Sequence, residues 1–248
     1  MLHPSIVHHR FSQGASCQIC LSDTFGLLCW NVYKNNRKKQ AFYPFLKSLV
    51  KENKIDLLLF QEANFKESKS CMLSDFSFDA AANLEYRGKF FGVLTASRAV
   101  SQRSQAYLTE GKESLILTHK SLLLSEFSFM DKSKLLVLNV HAINFRENRR
   151  YDYELDSLLS HVKDYQGPMI IAGDFNSWHK KRMQKLEEIK KILSLKTVTF
   201  KDKEKIKSFM GYPLDHIFYR GLELMDSAVL DGDNLSDHTP LFAKFKKI

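Results

Sequence analysis

Residues 172–178, AGDFNSW, carry two side chains able to do chemistry. Asp174 and Asn176 are two apart, so on an extended chain they leave from the same face. The run Pro168-Met169-Ile170-Ile171-Ala172 before them reads as a strand covered on both faces. Gly173 then admits a bend where a β-carbon would interfere. Alone, the heptapeptide suits a strand followed by an Asx turn equally well. The pattern recurs, however. Asn31 follows LLCW, Glu62 follows LLLFQ, His141 follows LLVLNV and Asp215 follows YPL, while Ser236-Asp237-His238 precedes the last apolar run. If these ends meet on one rim, they make a pocket of carboxylates, two histidines and two amides.

Such a pocket suits metal-assisted phosphoester hydrolysis. A phosphodiester repels hydroxide, so its charge must be neutralised and a water positioned in line. Hard oxygen donors such as Glu62 and Asn31 suit Mg²⁺ or Mn²⁺, not zinc. Four cysteines (Cys17, Cys20, Cys29 and Cys71) are few for a disulfide scaffold. The lone Cys17-x-x-Cys20, with His8 and His9 upstream, matches no standard zinc-finger spacing. Ser236 is expected to organise a turn, since this chemistry uses water as nucleophile. Trp178 is expected to pack on the core. Arg149 and Arg150 open a helix and are expected to face solvent, with Arg149 also a candidate phosphate contact.

The elements that must position these groups follow from periodicity. Residues 1–24 have little of it and read as an irregular extension; residues 25–248 read as one domain. Strands are expected at FGLLCWNVY, IDLLLFQEA, FFGVLTAS, SLILTHKSLLLSEFSF, SKLLVLNVHAINF and 168–172, and in the closing YPLDHIFYRGLELMDSAVL and TPLFAKFKKI. Helical spacing appears over 38–53, 151–165 and roughly 179–194. The natural fit is one α/β domain with two substantial sheets.

The formal net charge is +9, with basic groups at 37–39, 149–150, 180–182, 201–207 and 244–247. This favours a polyanionic partner without separating nucleic acid from an anionic lipid surface. No apolar stretch reaches the roughly 18–20 residues of a membrane span, and the N-terminus lacks a secretory pattern. The expectation is a cytoplasmic monomer with no obligate protein partner.

Taken in order, CWNVY, LFQEA, FGVLTASR, LNVHAINF, AGDFNSW, PLDHIFY and LSDHTPLFAKF resemble the endonuclease/exonuclease/phosphatase superfamily, which includes deoxyribonuclease I and the exonuclease III-type abasic-site endonucleases. LCWNVYK, VHAINF and GYPLDHIFYRGL look like a small, poorly characterised bacterial branch of it. The resemblance implies a four-layer α/β/β/α sandwich of two mostly antiparallel sheets between helices. It implies Glu62 as principal ligand of Mg²⁺ or Mn²⁺, Asn31 as ligand or phosphate contact, and Asp237 within reach of the metal. Asp174 would orient or deprotonate the attacking water, and Asn176 would hydrogen-bond phosphoryl oxygens. His238 would act at the phosphate with Asp215 fixing its orientation. His141 matches the deoxyribonuclease I and sphingomyelinase branches, where abasic-site endonucleases carry tyrosine, and would donate a proton to the leaving oxygen. The activity implied is a nuclease-like phosphodiesterase. The alternative is a phosphatase or sphingomyelinase-like phospholipase on small or lipid phosphoesters.

Overall fold

The computed structural model describes residues 5–9, 18–37, 39–66, 73–108, 120–144 and 148–248. Its elements run β1 (Ser5–His9), β2 (Thr24–Asn31), α1 (Phe42–Glu52), β3 (Ile55–Phe65), β4 (Ser77–Tyr86), β5 (Lys89–Ser97), β6 (Arg103–Leu108), β7 (Ser121–Ser128), β8 (Lys134–His141) and α2 (Asn148–Val162). Then come β9 (Met169–Asp174), α3 (Lys180–Ile192), β10 (Lys196–Thr197), β11 (Ser208–Phe209), β12 (Tyr212–Pro213), β13 (Asp215–Arg220), β14 (Leu222–Val229) and β15 (Leu241–Lys247). One sheet has the order β1-β4-β5-β3-β2-β15-β14 and the other β10-β13-β9-β8-β7-β6, with β11-β12 a separate hairpin. Among the described strands, β2–β3 and β8–β9 pair in parallel and the rest antiparallel, so both sheets are mostly antiparallel.

Strand alternation builds four layers. On β2, Leu28 and Trp30 pack outward against Phe42, Leu46, Leu49 and Val50 of α1. Their neighbours Leu27 and Cys29 face inward and meet Val137, Ile170, Ala172 and Ile217 of the other sheet. Leu138 and Ile171 on that sheet's far face pack against Tyr151, Leu155 and Leu158 of α2 and Leu186 and Ile189 of α3. Each strand thus sends alternate residues into different cores, which is why the central runs are continuously apolar.

Besides β1 and the two-residue strands β10 and β11, two strands escape the periodicity reading. β4 contains Ala80-Ala81-Ala82, which favours helix locally; pairing along β5 from Ser77 to Tyr86 overrides that preference. β6 is a polar edge strand. Helix α2 begins at Asn148, immediately before the Arg149-Arg150 pair expected to open it. Residues 114–119 of SLILTHKSLLLSEFSF lie outside the described residues.

The irregular extension expected over 1–24 is corrected in two places. Ser5–His9 pair antiparallel with β4, Ser5 opposite Ala82 and His9 opposite Phe78. Gln18 and Leu21 then form isolated bridges to Ala99, just past β5, and Phe129, just past β7. The open edge of β4 supplies the first pairing, a partnership local periodicity does not encode. Cys17 and Cys71 lie outside the described residues.

Candidate active site

Strand register assembles the site. Asp174, the last residue of β9, lies opposite His141 on β8 and opposite Asp215 on β13. Gly173 makes this approach possible: a Cβ there would sit 1.9 Å from the Val140 carbonyl oxygen, and its φ is +147°. The other sheet contributes Asn31, at the end of β2, and Glu62. The β3–β5 register slips between Phe60 and Ala63, and Glu62 has φ +49° within that bulge. A bulge re-aims a side chain that regular pleating would send elsewhere. His238 arrives from the loop before β15, where Ser236 Oγ donates to the Asn31 carbonyl (2.6 Å) and accepts from the His238 N–H (3.2 Å). Ser236 is thus the turn organiser the sequence suggested.

Hydrogen bonds fix the members. Asn31 Nδ2 donates to Asp174 Oδ2 at 3.0 Å, and its Oδ1 accepts from the Tyr33 N–H at 3.1 Å. Asp174 Oδ1 accepts from the Asn176 N–H at 3.0 Å, and Asn176 Nδ2 donates to the Ala142 carbonyl at 2.9 Å. Asp215 Oδ2 lies 2.7 Å from His238 Nδ1. His238 Nε2 is 4.0 Å from Asp174 Oδ2, and His141 Nε2 is 3.8 Å from both Asp174 Oδ2 and Glu62 Oε1. Below the pocket, Gln61 Nε2 donates to Asn139 Oδ1 at 2.7 Å, and Asn139 Nδ2 donates to the Leu94 carbonyl at 3.0 Å. This buried amide pair ties the sheets together directly under the reacting groups.

The two histidines are shifted in opposite directions. Burial, reinforced by Lys120, His238 and Lys34, holds His141 well below the usual imidazole range. Lys120 Nζ lies 3.0 Å from His141 Nε2; an ammonium only donates, so Nε2 accepts and the ring proton is on Nδ1. Burial also pulls His238 down, but the Asp215 carboxylate overrides it, and with Asp174 and Asp237 pushes it up to about 9. Burial first, then Asp215, raises Asp174 to about 6. The neighbouring carboxylates thus favour the charged form of His238, whereas burial and Lys120 favour the neutral form of His141, the residue that the resemblance assigns as proton donor to the leaving oxygen.

Glu62, Asn31, His141, Asp174, Asn176, Asp215 and His238 are brought together. Asp237 is not: its carboxylate is exposed and pairs with Lys207 Nζ at 3.3 Å. Arg149 sits exposed in the first turn of α2. Trp178 is half-buried and not a core residue; its Nε1 donates to Asn144 Oδ1 at 2.9 Å. Sequence reading overlooked Lys34, 3.3 Å from Glu62 Oε2, and Lys120. Lys34 lies three residues after Asn31, a proximity that could have flagged it; nothing in the sequence marks Lys120. Also overlooked was Arg182, buried in the apolar stripe of α3.

The donor set fits a hard cation. Asp174, Asp215 and His238 each bring an atom within 4.8 Å of the others, the one such group among the described residues; protonated His238 has no lone pair to give, so the carboxylates are the donors of this group. Asp215 Oδ1 is buried without a hydrogen-bond partner among those residues, and Glu62 Oε2 faces the Lys34 ammonium at 3.3 Å. Carboxylate oxygens of this kind suit a divalent ion. Asn31 Oδ1, which accepts only from the Tyr33 N–H, keeps a second lone pair for the same purpose.

A protein of Vibrio cholerae in the UPF0294 group is 33% identical to this chain over 229 residues, covering 91% of this chain and 79% of its own. A mannosyl-6-phosphatase of Bacteroides thetaiotaomicron has the same fold, with TM-score 0.66 at 15% identity, covering 89% of this chain and 99% of its own. So does TDP2 of D. rerio in complex with a single-strand DNA product, with TM-score 0.61 at 14% identity, covering 90% and 99%. The family model for endonuclease/exonuclease/phosphatase proteins matches residues 28–238, from inside β2 to His238, and takes in every residue of the pocket just described. A chain with this sandwich, this rim of carboxylates and histidines and that match along most of its length belongs to the endonuclease/exonuclease/phosphatase family, whose members hydrolyse phosphoesters.

Proposed function

We propose that this chain is a divalent-metal-dependent phosphodiesterase acting on nucleic acid. The observation that carries the reading is a base and a fixed positive charge side by side: Asp174, raised to about 6, lies 4.0 Å from His238, raised to about 9. That gap is too long for a hydrogen bond, but the two charges still attract, which lowers Asp174 and raises His238. Asp174, held on both oxygens by Asn31 and Asn176, takes the proton of the attacking water near neutral pH. His238, pinned through Nδ1 by Asp215, meets the phosphoryl oxygens as negative charge builds. Asn176 uses one amide hydrogen on Ala142 and has a second for the same oxygens. Lys34 and Lys120 add positive charge on the Glu62–His141 side. Mg²⁺ or Mn²⁺ at Glu62 and Asn31 would supply charge neutralisation and a more acidic bound water. The net charge of +9 supports a polyanionic substrate.

The test is purified protein with Mg²⁺, Mn²⁺ or EDTA on supercoiled plasmid, single-stranded DNA, RNA, bis-p-nitrophenyl phosphate and sphingomyelin, beside Asp174→Ala. Metal-dependent cleavage of a nucleic acid, lost in the variant, is expected. Turnover confined to the small or lipid esters would replace this reading with a phosphatase or phospholipase.

A further inference from the structure

The hairpin β11–β12 ends in side chains that folding does not require. Phe209 lies opposite Tyr212, leaving Met210 and Gly211 as a two-residue turn with φ +52° and +80°. Such a turn favours Asn-Gly, and methionine at positive φ is uncommon. Met210 is nonetheless 71% exposed and Phe209 47% exposed. Neighbouring apolar side chains presented to water in an unfavourable backbone setting point to a ligand.

The hairpin is fastened to the rim of the pocket. Leu214, which follows it, takes the Phe175 N–H on its carbonyl (2.8 Å), and the Pro213 carbonyl accepts from Ser177 Oγ (2.6 Å). At its other end Lys207 pairs with Asp237, the neighbour of His238. The Phe209 ring stands edge-on to Trp178, centroids 6.0 Å apart, and Trp178 is backed by the Arg182 guanidinium 4.6 Å from its ring. Exposed Lys180 and Lys181 follow two residues after Trp178. A flat apolar surface braced from behind, beside lysines and a phosphoester pocket, suits a ligand that alternates π-faces with phosphates.

We propose that Phe209 and Met210 form a stacking ledge for a base of single-stranded nucleic acid threaded past the pocket. This rests on the nucleic-acid reading above. Stacking is tolerant of base identity, so the ledge selects unpaired strand over duplex and not one sequence over another.

The probe is a fluorescein-labelled oligothymidylate, followed by anisotropy in EDTA and by hydrolysis with Mn²⁺. The Phe209→Ala/Met210→Asn variant keeps a residue that the turn prefers. It is expected to bind oligothymidylate about fivefold to a hundredfold more weakly, with bis-p-nitrophenyl phosphate turnover unchanged and Phe209→Tyr close to wild type. Unaltered anisotropy and hydrolysis in the double variant would overturn the ledge while leaving a nuclease standing. Ledge-dependent binding without cleavage of any nucleic acid would uphold the ledge and bring down the nuclease reading. Loss of binding to phosphatidylserine vesicles in the double variant, with oligothymidylate binding intact, would overturn the ledge in favour of a lipid surface.

Discussion

The guanidinium of Arg182 donates a 2.8 Å hydrogen bond to the main-chain carbonyl of Asn176. The same nitrogen donates to the Ile143 carbonyl at 3.1 Å, and the group lies between the rings of Tyr151 (4.4 Å) and Trp178 (4.6 Å). One buried cation therefore joins the loop after β9 to the loop after β8, and Asn176 keeps its φ of +48° at that junction. Lysine lacks the planar face that both rings hold. Arg182→Lys should lower kcat at least about tenfold through displacement of Asn176, with KM little changed, and cost about 2 kcal/mol in urea denaturation. A kcat equal to wild type would remove Arg182 from any positioning role.

Asp215 and His238 act as a unit in this geometry, joined at 2.7 Å. Asp215→Asn and His238→Ala should each lower kcat about 100-fold or more. The double variant should be no slower than the worse single one, because removing either partner already disables the pair. Multiplicative losses in a double-mutant cycle would show that the two contribute independently.

Gly173→Ala tests the close approach of β9 to β8. The added carbon would meet Val140 O at 1.9 Å, at a φ that L side chains rarely adopt. A destabilisation of about 3 kcal/mol or more is expected, read from the urea midpoint. A folded variant of normal stability would mean that the strand ends can separate freely.

His216 gives the fold an acid-sensitive term. Burial lowers its imidazole to about 4, against which Asp215 acts only in part. The unfolded chain titrates near 6.5, so between those values the unfolded state binds the proton and the folded state does not. Stability therefore falls as pH drops from about 6.5 to about 4, by at most about 3 kcal/mol. His216→Phe should flatten that part of the urea-midpoint profile, and an identical profile in the variant would refute the assignment.

How far the sequence reaches is clearest at particular residues. Apolar runs ending in Asn31, His141 and Asp174 announced both the strands and the rim, because a strand buried on both faces is apolar until it leaves the core, whereas Glu62 sits in a bulge inside β3 and Asp215 opens β13. The ordered motifs carried the sandwich. Lys34, Lys120 and Arg182 left almost no trace, since a lysine or arginine in sequence looks the same whether it faces solvent, a carboxylate or a buried carbonyl. The strand at Ser5–His9 was hidden because its partner, β4, lies more than sixty residues away. Most of all, local patterning determined which groups the strands carry to their ends, while only the tertiary structure decided their charges. His141 and His238 are the same residue type at similar burial, yet His141 has Lys120 at 3.0 Å with carboxylates only at 3.8 Å, while His238 has the Asp215 carboxylate at 2.7 Å. Coulombic neighbours are chosen by register and loop path, and these are fixed only when both sheets pack.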